Sequence, residues 1–221
     1  MPTPKYLLAL FEENSFHHVI CKSIAERRLF RNDENRTFFL NRYDHFLSNF
    51  VNTYSYCILS NHVHFLIRPR SIECICQYLR QGSQKKLTPT HRRFIGSNQM
   101  EMFHELIEQQ FNRLFISYAL NFNKQKNQVG HLFQRPFRRI FIEDDLHLTH
   151  LVIYIHANSL KHNITRDFTN YKWSSYQEII SNGSTHVCRN ELLDWFGGKT
   201  NFIKTHLEQV AHYYSNPHSM E

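Results

Sequence analysis

Two runs of β-branched and aromatic residues, Thr53 to Leu59 and Val63 to Ile67, lie either side of Ser60-Asn61. So short a gap folds the second run straight back on the first as a tight hairpin, which fixes antiparallel β structure in the chain. The second strand of that hairpin carries His62-Val63-His64. Side chains alternate across a strand, so His62 and His64 project from one side while Val63 points into the opposite layer. Two imidazoles one pleat apart can chelate a single divalent cation, and the apolar residues Val63, Phe65, Leu66 and Ile67 around them hold both rings rigidly. The same spacing also suits a satisfied or surface histidine pair, and taken alone it leaves both readings open.

Further elements gather around the hairpin. Phe16 to Ile24 alternates apolar and polar and reads as a first strand. After the turn signal Asn32-Asp33, Phe38, Phe39, Tyr43, Phe46, Leu47 and Phe50 recur at three- and four-residue steps, the stripe of a helix. Between Pro69 and Gln99 the glycines, Pro89 and the basic residues Lys85, Lys86, Arg92 and Arg93 suggest a short helix and a mobile connection. In Met102 to Asn123 the residues Phe111, Leu114, Phe115, Tyr118 and Phe122 form a single helical stripe. Phe137 to Ile142 reads as another strand. Asp144 and Asp145 then suit the start of a helix with Leu148, Leu151, Val152 and Ile155 on its face. Leu192 to Val210 suggests a small terminal helical unit broken at Gly197-Gly198. Strand, helix, strand, strand, helix, strand, helix is the order of an α+β sandwich with one sheet and helices mainly on one face.

Composition narrows the class. Of 221 residues 41% are hydrophobic and 14% aromatic, with only 6 Gly and 6 Pro, which excludes disordered, collagenous and low-complexity chains. The five cysteines, Cys21, Cys57, Cys74, Cys76 and Cys188, are scattered and odd in number, as in a reduced cytoplasmic protein. The longest uncharged stretch, Leu146 to Leu160, falls short of the roughly 20 apolar residues of a membrane helix and holds three histidines, so a soluble protein without a membrane partner is expected. A formal charge of +7 favours a polyanionic partner, and 16 histidines invite a search for metal.

Several ordered blocks resemble one family. Asn61-His62-Val63-His64-Phe65-Leu66-Ile67 is similar to the signature of HUH transposases with a single catalytic tyrosine, the group that includes the REP-associated tyrosine transposases. Ser117-Tyr118, Phe122-Asn123-Lys124 and Gly130-His131-Leu132-Phe133-Gln134-Arg135-Pro136-Phe137-Arg138-Arg139 resemble the tyrosine helix of that family and the segment after it. Tyr154-Ile155-His156-Ala157-Asn158 and Trp173-Ser174-Ser175-Tyr176 match two further blocks, in order. The resemblance covers roughly Phe16 to Ile180 and implies a catalytic domain over residues 1–180 followed by a C-terminal helical extension over 181–221.

The resemblance implies a ferredoxin-like HUH sandwich, an antiparallel sheet with helices on one face. His62 and His64 would hold Mg2+ or Mn2+, and Tyr118 would be the nucleophile. It further implies cleavage and rejoining of single-stranded or hairpin DNA through a 5′-phosphotyrosine link, by a monomer or a homodimer. A tyrosine hydroxyl titrates near pH 10, so a cation bound to the scissile phosphate would assist its attack. In relatives a polar residue one turn after the tyrosine often supplies the third metal ligand; here that position is Phe122, and Asn123, which matches an Asn that recurs in the family, is the candidate, its alternative role being a cap or backbone contact. Read without the resemblance, Tyr118 lies on an apolar stripe and would be a core aromatic.

Lys124, Lys126, His131, Arg135, Arg138 and Arg139 follow the expected tyrosine helix and suit a phosphate-tracking, DNA-binding surface. Two alternatives share the same residues. One is a domesticated protein that recognises repeat hairpins without cleaving them, and the other is a metal-dependent phosphodiesterase with water as the nucleophile.

Overall fold

The computed structural model describes residue 4 and residues 7–82, 87–96 and 99–215, with backbone alone for 145–147 and 212–215. Lys85 and Lys86 lie outside the described residues. Four strands, β1 (Phe16–Lys22), β2 (Val51–Ile58), β3 (His62–Pro69) and β4 (Arg138–Ile142), form one antiparallel sheet in the order β2-β3-β1-β4. Helix α1 (Asp33–Leu47) links β1 to β2, and α4 (Gln99–Lys126) lies between β3 and β4. A β-α-β-β-α-β order with this strand arrangement is the ferredoxin-like topology. The segment between β3 and α4 holds two short helices, α2 (Ile72–Gln81) and α3 (Pro89–Gly96), where the sequence suggested one. The Ser71 hydroxyl caps α2 by accepting a hydrogen bond from the Cys74 amide, as Asn32 caps α1 from the Asn35 amide.

The two crossover helices share one face of the sheet. Tyr43 of α1 stacks on Phe65 of β3 with ring centroids 4.3 Å apart, and Phe39 of α1 bridges Phe65 to Tyr118 of α4. The opposite face is covered as well, by α5 (Asp145–Lys161), which packs on β2 and β3. Residues 152, 153 and 155–159 of this helix are all buried, because a second layer lies outside it. That layer is α8 (Lys199–Ser215), reached through α6 (Tyr176–Ile180) and α7 (Arg189–Trp195). Gly197 and Gly198 end α7 with φ of 71° and 107°, and their amides donate to the Asp194 and Leu193 carbonyls. This left-handed turn favours glycine and reverses the chain into α8.

Neither sheet edge is bare. The Ile58 amide donates to the Trp173 carbonyl, Ser175 to Tyr56 and Cys188 to Thr53 along β2, while the Ala9 amide donates to the Arg139 carbonyl on β4. Covered edges cannot template pairing with another chain. Among the described residues no helix is long and apolar enough to cross a membrane.

Many of the histidines serve the core. His206 of α8 pairs with His156 of α5 across 2.9 Å, His156 also pairs with the Ser175 hydroxyl, and His91 of α3 pairs with the Gln110 amide of α4. Burial pushes His206 and His91 down to about 4 from an ordinary 6.5, so both are neutral in the folded protein. Between those values the unfolded chain binds more protons, so stability drops as the pH is lowered, by up to about 1.4 kcal/mol per pH unit for each such histidine. The urea midpoint is therefore expected to be flat above about pH 6.5 and to fall steadily towards pH 4. A midpoint unchanged by acidification would show that these rings do not gain protons on unfolding.

Candidate catalytic site

In the antiparallel register Ile20 lies opposite His64, Lys22 opposite His62 and His18 opposite Leu66. Directly paired residues share a face, so His18, Lys22, His62 and His64 all point to the α5 side, while Val63, Phe65 and Ile67 point to the α1 and α4 side. The expectation that His62 and His64 share a side is what the strand geometry shows. Their ring centroids are 5.0 Å apart.

Hydrogen bonds orient the rings. His62 Nδ1 lies 2.7 Å from Asn61 Oδ1, an acceptor, which places its proton on Nδ1 and leaves the Nε2 lone pair free. His64 Nδ1 lies 2.9 Å from His18 Nε2, and His64 Nε2 is buried with no partner. When His64 donates from Nδ1, its Nε2 likewise presents a lone pair. His162, just beyond α5, places its ring 4.7 Å from that of His62. Burial pushes His62 and His18 down to about 3 and His64 well below its ordinary value. Neighbouring His162 and Lys22 add to the shift of His62, and the other histidines and Lys161 add to that of His64. All are neutral at pH 7, the form in which imidazole binds a metal.

The tyrosine that meets these rings is Tyr154. Helix α5 sets its ring 5.8 Å from His64 and 6.1 Å from His18, both edge to face. Tyr154 is only partly buried, and the Lys161 ammonium lies 5.2 Å from its ring centroid. Burial raises its hydroxyl above the ordinary value of 10, while a hydrogen bond with Asn158 pulls it back. Asn158 stands one helical turn further on and is fully buried. Its amide nitrogen donates to the Tyr154 carbonyl at 2.7 Å, and its Oδ1 has no partner.

Tyr118 is elsewhere. It sits on the α4 side of the sheet, opposite the histidines, fully buried among Phe30, Phe39, Phe122 and Phe133. Its hydroxyl donates to the Leu29 carbonyl at 2.8 Å, and burial raises its pKa above the ordinary value. The apolar stripe of α4 is a core stripe, and the expected pairing of Tyr118 with His62 and His64 is corrected. Asn123 is corrected with it: its amide donates to the Gly130 carbonyl and accepts from Gln128, bracing the loop after α4.

The basic residues divide. Lys124, Lys126, His131, Arg135 and Arg138 are exposed. Arg139 is buried, donates to Glu108 at 2.7 Å and to the Ala9 carbonyl at 3.0 Å, and lies over the Phe137 ring. It holds α4 and the N-terminal segment to β4, so its expected place on a DNA-binding surface is corrected.

Among the described residues no group of three His, Cys, Asp or Glu side chains is placed to hold a metal ion. The donors the histidine face offers are the imidazoles of His62 and His64, and Asn158 Oδ1 is a further buried atom without a partner on α5. That set fits a divalent cation whose other positions are filled by water or phosphate oxygen.

No family model matches the chain, and no curated protein matches it. Among solved structures, a REP-associated tyrosine transposase bound to a REP hairpin is similar with a TM-score of 0.48 and 12% identity, over 83% of this chain and 87% of that one. A likeness this distant assigns no residue a role.

Arg139→Gln breaks a largely buried ion pair and is expected to cost about 2–3 kcal/mol of unfolding free energy. Arg138→Gln, on the exposed side of the same strand, should stay within about 0.5 kcal/mol of the parent. Urea denaturation of the two variants checks the division, and equal midpoints would refute it.

Proposed function

We propose that the protein is a metal-dependent endonuclease and strand-transferase acting on single-stranded or hairpin-forming DNA, with Tyr154 as its nucleophile. The observation that carries the reading is the position of Tyr154, the tyrosine set edge to face against His64 and His18 on the face that His62 shares. The block Tyr154-Ile155-His156-Ala157-Asn158, which resembles a transposase block, contains both this tyrosine and the amide one turn after it.

His62, His64 and Asn158 would hold the cation, and two imidazole nitrogens suit Mn2+ better than the harder Mg2+. When bound, it neutralises charge that develops on the scissile phosphate. The protein's own side chains do the rest. Helix α5 holds the Tyr154 ring edge to face against the His64 and His18 rings, and Asn61 and His18 lock the imidazole rings. The Lys161 ammonium near the Tyr154 ring favours negative charge there. Attack of Tyr154 Oη on phosphorus forms a tyrosyl–phosphate bond and breaks the bond to the 3′ oxygen, which takes a proton as the phenol gives one up. The phosphodiester is conserved in the link, so a 3′-hydroxyl can reverse the step without a nucleotide cofactor.

Incubation with a library of hairpin-bearing single strands and Mn2+, followed by denaturing gels and mass spectrometry, tests the reading. A covalent DNA adduct is expected on the Tyr154 peptide and is abolished in Tyr154→Phe. Tyr118→Phe should retain it, at a stability cost of about 1–3 kcal/mol because the Leu29 carbonyl loses its donor. An adduct that survives Tyr154→Phe and disappears in Tyr118→Phe would overturn the assignment. DNA binding without an adduct under any metal would favour the domesticated, non-cleaving protein, and cleavage that persists in Tyr154→Phe without an adduct would favour water as the nucleophile.

A further inference from the structure

On the α4 side of the sheet, away from the histidines, a groove of about 440 Å3 runs between α4 and the loop that follows it. Its apolar lining is exposed: Leu120 is 67% accessible, Val129 93% and Ile116 48%. Aliphatic side chains this accessible and this close together are uncommon on a surface without a partner. Lys124, His131 and Arg135 also line the groove, and among the described residues no carboxylate does. The complement of such a surface has a flat apolar part and a negatively charged part.

The groove adjoins the site through the backbone. The Ile24 amide donates to the Leu132 carbonyl and the Gln134 amide to the Lys22 carbonyl, and Ser23 bridges to Phe133. Lys22 is the residue opposite His62. The end of β1 thus separates the basic rim of the groove from the histidine face by the width of one strand.

We propose that this groove holds an unpaired nucleotide of the DNA strand that leads to Tyr154. The base lies against Ile116, Leu120 and Val129, and phosphates lie along Lys124 and Arg135. The inference rests on the reading of the protein as a single-strand DNA enzyme and adds a second contact outside the cleavage centre. Contact with the face of a base tolerates any sequence, so the groove grips flanking strand irrespective of its bases.

Anisotropy of a fluorescein-labelled oligo-dT of about 15 nucleotides, measured on the full chain over a salt series, tests it. Leu120→Gln keeps charge and bulk at an exposed position, so folding should be unaltered. It is expected to weaken binding about tenfold, with the Tyr154 adduct still formed on hairpin DNA. Lys124→Gln should lower the slope of log affinity against log salt by about one. If Leu120→Gln binds oligo-dT as the parent does, or if the parent binds hairpins but not oligo-dT, the groove proposal fails and the cleavage reading stands. If the parent binds neither DNA, both fail. If the parent is a dimer in size-exclusion chromatography and Leu120→Gln is a monomer, the face joins two copies of the chain and the proposal is overturned.

Discussion

The two-residue period of β3 divides the molecule. Val63, Phe65 and Ile67 face the layer of α1 and α4, and His62, His64 and Leu66 face α5. Because the strand lies second from the edge in a four-stranded sheet, pairing with β1 and β2 fixes its register on both sides. A slip of one residue would send the histidines into the aromatic layer and Phe65 out of it. Every other placement follows from that alternation, since a tyrosine reaches the imidazoles only from a helix on their side.

Burial of polar groups on the α5 side follows a consistent rule. Imidazoles there are kept neutral by desolvation and held by ring-to-ring or ring-to-amide hydrogen bonds, as His18 holds His64 and Asn61 holds His62. Buried polar atoms normally have partners, so His64 Nε2 and Asn158 Oδ1, which have none, are exceptions in need of a reason. Ser55 and Ser159 also bury hydroxyls without partners, so an orphaned atom gains meaning only beside a geometry such as that of Tyr154.

Much of this was legible in the sequence. The hairpin, the histidine alternation, the two helical stripes and the glycine break after α7 all follow from local periodicity, and the element order led to the sheet. What periodicity cannot show is which face of a sheet a helix will cover. The stripe of α4, Phe111 to Phe122, looks the same whether it covers a catalytic face or a core, and Tyr118 was read into the wrong layer for that reason. The uncharged run from Leu146 to Leu160 carried the missing signal: a helix apolar nearly all round is covered on both sides, here by the sheet and α8. Arg139 was read onto a DNA-binding surface although alternation in β4 turns it inward when Arg138 points out.

The charges around the site favour a particular class of substrate. The charged side chains that shift His62 and His64 are Lys22 and Lys161, and Glu26 pairs with Lys22 at 3.6 Å. Hydrolases that carry their cation on paired carboxylates begin with a negative site, which attracts the metal before the substrate. Here the buried side chains are neutral imidazoles, with the Lys161 ammonium and the Glu26-paired Lys22 beside them, an arrangement unlike a carboxylate pair. Under the nuclease reading proposed above, such a site would take its negative charge from the phosphates of the substrate. The same sign continues past Lys22 to Lys124 and Arg135. A path of positive charge that leaves the site along one strand end fits an extended anionic chain better than a single phosphate.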